Sequence, residues 1–279
     1  MTDNNAPKAA TPNLAVGPQY DTTHVYVEPE DFEKFVASFV ATFGGMATPM
    51  SLTQITPAPS QTMFQLVMTP VGTLSVLGFK TPIPFPFGQE RTGYLVTDME
   101  TAVQAALAHG ADVVVSPFDD PIGSDAITRW PGGVNMQFYT HTTPPAYKVL
   151  QTVPENRIYM SPYRVDAFIK SFVGFSRGQI TYDVADAAGV GIGRPADTYR
   201  RVGIDSNFGK IVLLVTDGHL PYPYGREFTG YEVANLSETL TKAKAAGAKV
   251  VDGPYADDKR TAAMVNFPGG HIAEVHSLR

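Results

Sequence analysis

Six histidines and no cysteine set the chemistry open to this chain of 279 residues. Without thiols there can be no disulfide, thiolate metal site or cysteine nucleophile. Any metal must therefore sit on histidine, carboxylate, amide or hydroxyl groups. The sequence carries no Gly-x-Ser-x-Gly elbow, no phosphate-binding Walker loop and no His-Glu-x-x-His pair. GVGIG at 189–193 resembles a dinucleotide fingerprint, but it falls in what reads as a long loop over 185–203, without the preceding strand and following helix that such a site needs. His109 ends a predicted helix, where a cation suits the dipole, and His141 and His219 fall in loops. What remains is His24, at the start of one strand candidate, and the final run HIAEVHS at 271–277, which holds Glu274 between His271 and His276.

The elements that must position these groups are legible through an internal repeat. PFPFGQERTGY at 84–94 returns as PYPYGREFTGY at 221–231, with seven of eleven positions identical. The same offset of 137 carries HGADVVVSPF at 109–118 onto AGAKVVDGPY at 246–255, and WPGG at 130–133 onto FPGG at 267–270. Further upstream, FVASF at 35–39 matches FIKSF at 168–172 at an offset of 133. Each half divides again into strand, helix and three strands. GYLVTD alternates as a strand, and METAVQAALAHGA has helical periodicity with Asp98 as N-cap and Gly110 as stop. DVVVSPF, ITRW and VNMQFYT follow as short strands parted by Gly, Pro and Asp turns. The expected organisation is a flexible leader at 1–21, one domain at 22–143, a linker at 144–154 and a second domain at 155–279.

This doubled strand–helix–three-strand module resembles the glyoxalase / bleomycin-resistance / extradiol-dioxygenase superfamily, the vicinal-oxygen-chelate (VOC) proteins. The resemblance implies an α+β fold of tandem VOC domains, in which four βαβββ modules form two cup-shaped mixed sheets. It rests on His24 opening the first strand, on helices ending in glycine, on the aromatic-Pro-Gly-Gly turn, and on Glu274 six residues after Pro268. Carried over, the family's ligand positions fall on His24, Thr92, Gln137, Arg157, Thr229 and Glu274. If neighbouring modules share a cup, Arg157 joins Glu274 as an ion pair and neither cup holds a credible metal set. If the first module pairs with the fourth, His24 and Glu274 meet, with His271 or His276 as a third donor. In that arrangement His24 and Glu274 are the metal ligands and catalytic groups, and the resemblance implies at most one divalent ion (Zn, Fe, Ni or Mn).

Strand alternation adds the walls, because residues two apart share a face. With the ligand positions inward, Tyr26, Tyr94, Tyr139, Tyr159 and Tyr231 point inward too, beside Thr92, Gln137, Arg157, Thr229 and His276. Such a pocket suits a planar or amphipathic small molecule. The resemblance implies either transformation of a small oxygenated or aromatic metabolite, or non-catalytic binding of the drug-sequestering kind. A net charge of −6 without a lysine or arginine run longer than a pair argues against nucleic acid. No segment has the apolar length of a membrane span, so a cytoplasmic monomer or homodimer acting on a small-molecule ligand is expected. The aromatic-Pro-aromatic-Gly segments are expected to cover the cup mouths or seal the halves through Phe85 and Tyr222.

Overall fold

The computed structural model describes residues 13–143, 147–257 and 259–279. Its first module runs through β1 (Asp21–Tyr26), α1 (Phe32–Phe43), the short β2 (Met46–Ala47) and β3 (Ser51–Thr53), β4 (Thr62–Thr69) and β5 (Gly72–Phe79). The second comprises β6 (Thr92–Leu95), α2 (Met99–Ala108), β7 (Asp112–Asp119), β8 (Gly123–Trp130) and β9 (Val134–His141). The third comprises β10 (Glu155–Met160), α3 (Val165–Ser176), β11 (Gln179–Ala188), β12 (Thr198–Ser206) and β13 (Gly209–Val215). The fourth comprises β14 (Phe228–Glu232), α4 (Leu236–Ala245), β15 (Lys249–Ala256), β16 (Arg260–Asn266) and β17 (Ile272–Leu278).

Local chemistry repeats with the sequence. Asp98 accepts the Thr101 N–H at the start of α2, and Asn235, at the same place in the second half, accepts the Glu238 N–H at the start of α4. Gly110 and Gly247 stop these helices at φ +88° and +89°, a backbone region that favours glycine. The stretch 185–203, expected as one loop, is instead largely a hairpin: β11 pairs with β12, and GVGIG forms its tip. No helix follows, so the fingerprint reading fails on structure as well.

Neighbouring modules share each sheet. Among the described residues one sheet runs β2-β4-β5-β1-β6-β9-β8-β7, with β3 alongside β4, and the other runs β11-β12-β13-β10-β14-β17-β16-β15. In both, the seam is an antiparallel contact between the first strands of two modules, β1 with β6 and β10 with β14. The helices lie on one face of each sheet, and these faces pack against each other. Phe35 and Phe39 of α1 lie in one core with Tyr231, Phe267 and α4, while Phe168, Phe172 and Phe175 of α3 lie in another with Tyr94, Trp130 and Phe138. The repeated FVASF and FIKSF motifs therefore supply helical i, i+4 phenylalanines to the junction between domains. Each fully buried Phe there is worth about 1.5–3 kcal/mol of transfer free energy.

Residues 1–12 of the expected leader and 144–146 of the linker lie outside the described residues. From Asn13 onward the leader is packed: Leu14 and Ala15 are buried, and Ala15 bridges to Val96. Gln151 of the linker donates its N–H to Pro70 O, and the Thr152 hydroxyl donates to Glu232 O. The expectation for Phe85 and Tyr222 is corrected: they are 71% and 63% exposed, and it is the second aromatic of each segment, Phe87 and Tyr224, that is buried.

Candidate functional site

The two cups differ in what fills them. In the first, alternating positions project from each strand into a cavity of about 270 Å³: Thr22 and His24 from β1, Phe64 and Leu66 from β4, Ser75 and Leu77 from β5, Gln137 and Tyr139 from β9. Asp125 of β8 and His141 complete one side. Most of the wall is apolar, with a few convergent polar groups, the usual make-up of a small-molecule site. The Gln137 amide donates to Asp125 Oδ1 at 2.9 Å, and the Tyr139 hydroxyl donates to Tyr20 O at 2.5 Å.

Below the cavity, His24 Nδ1 stands 3.5 Å from Glu90 Oε1, and Glu90 is fully buried. The Tyr26 hydroxyl donates to the same carboxylate oxygen. Burial first, and then the Glu90 charge, push the Tyr26 phenol well above its ordinary range, so it stays a donor. Tyr26 is thus a buried partner of Glu90 beneath the cavity. The array sets a buried imidazole in the cavity lining beside a buried carboxylate, with Nε2 lying against Gly93 of the neighbouring strand.

The second cup is closed by charge. Arg157 donates from Nη1 to Glu274 Oε2 at 2.6 Å and from Nη2 to Glu155 Oε2 at 2.6 Å. Arg260 donates to Glu155 at 2.8 and 3.1 Å, His276 Nδ1 lies 3.2 Å from Glu274 Oε1, and the Tyr255 hydroxyl donates to Glu274 at 2.9 Å. Two arginines balance two glutamates. Burial alone would raise the Glu274 carboxyl, but Arg157, His276 and Arg260 outweigh it and hold the pKa at about 2. Glu155 is likewise held well below the carboxylate range, burial being outweighed by Arg157 and Arg260. Tyr159 stands over this lattice, its phenol pushed far up by burial.

The structure sorts the expected site residues accordingly. His24, Gln137 and Tyr139 share the first cup; Arg157, Tyr159, Glu274 and His276 share the second. Thr92, Tyr94, Thr229 and Tyr231 are corrections, because they face the junction between domains. Tyr94 and Tyr231 belong to the two interdomain cores, and Thr23 Oγ1 lies 3.2 Å from Thr229 Oγ1. The residues that actually stand inward beside His24 and Arg157 are Gly93 and Gly230. A Cβ on Gly93 would lie 2.5 Å from His24 Nε2, and one on Gly230 would lie 2.7 Å from Arg157 Nε. The sequence reading was one residue out of register on β6 and β14, and with a period of two that exchanges the faces.

The metal expectation is corrected too. His24 and Glu274, which needed the first and fourth modules to share a cup, sit on different sheets. A divalent ion of the zinc or iron type wants three or more imidazole or carboxylate donors. The first cup presents His24 with the Gln137 amide and, where Thr92 was expected, Gly93, and the second sets Arg157 and Arg260 on Glu274. Among the described residues no three His, Asp or Glu side chains converge as a ligand set. These residues do not fit the metal of the resemblance.

Glu90, Asp125 and Glu155 escaped the sequence reading. Glu90 was detectable, since it and Glu227 are the same position of the repeat. Asp125 read as a turn residue and lies instead inside β8, where aspartate is uncommon. Glu155 stands two residues before Arg157 and shares its face.

The fold is a tandem arrangement of doubled βαβββ modules on two curled mixed sheets, and solved structures of vicinal-oxygen-chelate proteins share that fold. A variant of 4-hydroxymandelate synthase from Streptomyces coelicolor superposes with a TM-score of 0.62 at 10% identity, over 94% of this chain and 93% of that one. The Mn(II)-bound glyoxalase from Novosphingobium aromaticivorans gives 0.56 at 14% identity, over 92% and 80%. The halotolerant catechol dioxygenase BphC gives 0.52 at 10% identity, over 94% and 87%. No family model and no curated sequence matches the chain. At these identities the likeness is one of fold.

Proposed function

We propose that this protein binds a small, largely apolar molecule in the cup of its first domain, and that the second domain is a charge-locked support. The observation that carries this reading is the contrast between cups built on one fold. One keeps a cavity of about 270 Å³ walled by Phe64, Leu66, Leu77 and Tyr139, while the other is filled by the Glu155–Arg157–Glu274–Arg260 lattice. Similar structures include a catechol dioxygenase and 4-hydroxymandelate synthase, both named for small aromatic compounds, and the aromatic wall here has the matching character. His24 and Gln137 supply polar contacts, and nothing in the donor set calls for a metal-borne reaction.

Indole, a neutral planar probe, tests the reading. It should raise the Tm of the full chain with increasing concentration, because a ligand that binds only the folded state stabilises by mass action. The shift should disappear in Ser75→Trp, whose side chain would fill the space beside His24 and Leu77. An equal shift in both proteins would place the probe elsewhere and remove the proposal.

A further inference from the structure

The chemistry of the first cup goes further and selects among ligands. No lysine or arginine is among the described residues that line it, whereas Asp120 and Asp125 are. Asp120 is already engaged, accepting the backbone N–H groups of Ile122 and Gly123. Asp125 is not. It is 6% exposed, its carboxyl accepts one hydrogen bond from Gln137 at Oδ1, and its other oxygen has no partner among the described residues. A buried carboxyl with a spare oxygen and no cation nearby is costly, and a positively charged ligand would relieve that cost.

The walls are suited to such a ligand. Tyr139 and Tyr147 flank His141, with ring centroids 5.1 and 6.3 Å from it, and Phe64 lies in the same cavity lining. Aromatic faces beside a carboxylate are the usual receptor for an organic ammonium group. Burial also keeps the His141 imidazole below its ordinary range, so it stays neutral at pH 7. All but one of the influences on Asp125 act in the same direction. Burial foremost, then Asp120 and Glu90, push its carboxyl up, and only the Gln137 hydrogen bond opposes them. An acidic ligand would face two carboxyls with no lysine or arginine among the described residues that line the cup.

We infer that the cup of the first domain selects a small aromatic amine, its ammonium group paired with Asp125 and its ring held against Tyr139 and Phe64. This inference rests on the binding reading above, and the test separates the two. Three matched probes, 2-phenylethylamine, 2-phenylethanol and 3-phenylpropanoate, are titrated calorimetrically at pH 7 into the full chain, into Asp125→Asn, and into Ser75→Trp. The amine should bind the wild type at least about tenfold more tightly than the alcohol, and the carboxylate should bind most weakly. Asp125→Asn keeps the shape and the bond to Gln137, so it should lower amine affinity about tenfold and leave the alcohol within about threefold. Ser75→Trp, or Leu66→Phe if that variant does not fold, should weaken both. Carboxylate binding as tight as the amine, or amine affinity unchanged in Asp125→Asn, would overturn the inference. Alcohol binding that is lost in the filled variants but shows no amine preference overturns the amine while the binding reading stands. Failure of all three probes to bind overturns both.

Discussion

Gly93 and Gly230 are the positions at which a single atom decides the interior of each cup. Each lies on a strand next to the one that carries His24 or Arg157, and in each case the missing Cβ is the room that the larger side chain occupies. Gly230→Ala should therefore cost about 1–3 kcal/mol, read as a fall in the denaturant midpoint without a change in slope, because Arg157 is fixed by two glutamates and cannot move aside. Asp125 behaves in the opposite way. Its folded pKa is raised above the ordinary 3.8, so its contribution is fully present below pH 3.8 and is lost as pH rises through the folded value. Asp125→Asn is accordingly expected to raise the Tm at pH 7 and to have little effect near pH 3, and a lower Tm at pH 7 would contradict the assigned environment. The family resemblance pointed to His24, Arg157 and Glu274 as residues of interest. It did not reveal which of them meet, because Glu90 comes from the segment before β6 and Arg260 from β16, and only the sheet order brings them beside these residues.

At the scale of the element, β10, β16 and β17 bring Glu155, Arg157, Arg260, Glu274 and His276 to one face of the second sheet, with β14 between β10 and β17. The lattice is balanced only while all its members are present. Arg157→Met would leave two buried glutamates sharing Arg260 and should cost about 3–5 kcal/mol in unfolding experiments. Its pH dependence follows from the depressed carboxyls. Glu274 falls from the ordinary 4.5 to about 2, so the stability it supplies is complete above pH 4.5 and is lost as pH falls toward 2. A plot of Tm against pH should therefore drop steeply across that window, and Glu274→Gln should flatten it at the expense of stability at pH 7. Helix caps and helix stops were legible beforehand because they depend on neighbours in sequence, as at Asp98 and Gly110. The inward face of β6 and β14 was not, since a run of buried residues on both faces gives no alternation from which to set register.

At the scale of the molecule, the two domains are joined by aromatic cores to which both contribute. Phe172 of the second domain packs on Tyr94 and Trp130 of the first, at 6.4 and 5.4 Å between centroids. Phe172→Ala should cost about 3–5 kcal/mol and shift one shared calorimetric transition, whereas two separable transitions would show that the domains unfold independently. The periodic placing of phenylalanine in α1 and α3, the doubled module, the capping residues and the absence of thiols were all determined by the sequence, because each depends on composition or on spacing along the chain. The pairing of first with second and third with fourth modules was decided only in three dimensions, and the role of every candidate residue followed from it. His24 was thereby separated from Glu274, Arg157 was given its carboxylates, and one cup was left open. The physical reason is that charge balance and cavity volume are sums over side chains from distant strands, and neither is defined until the sheet order is fixed.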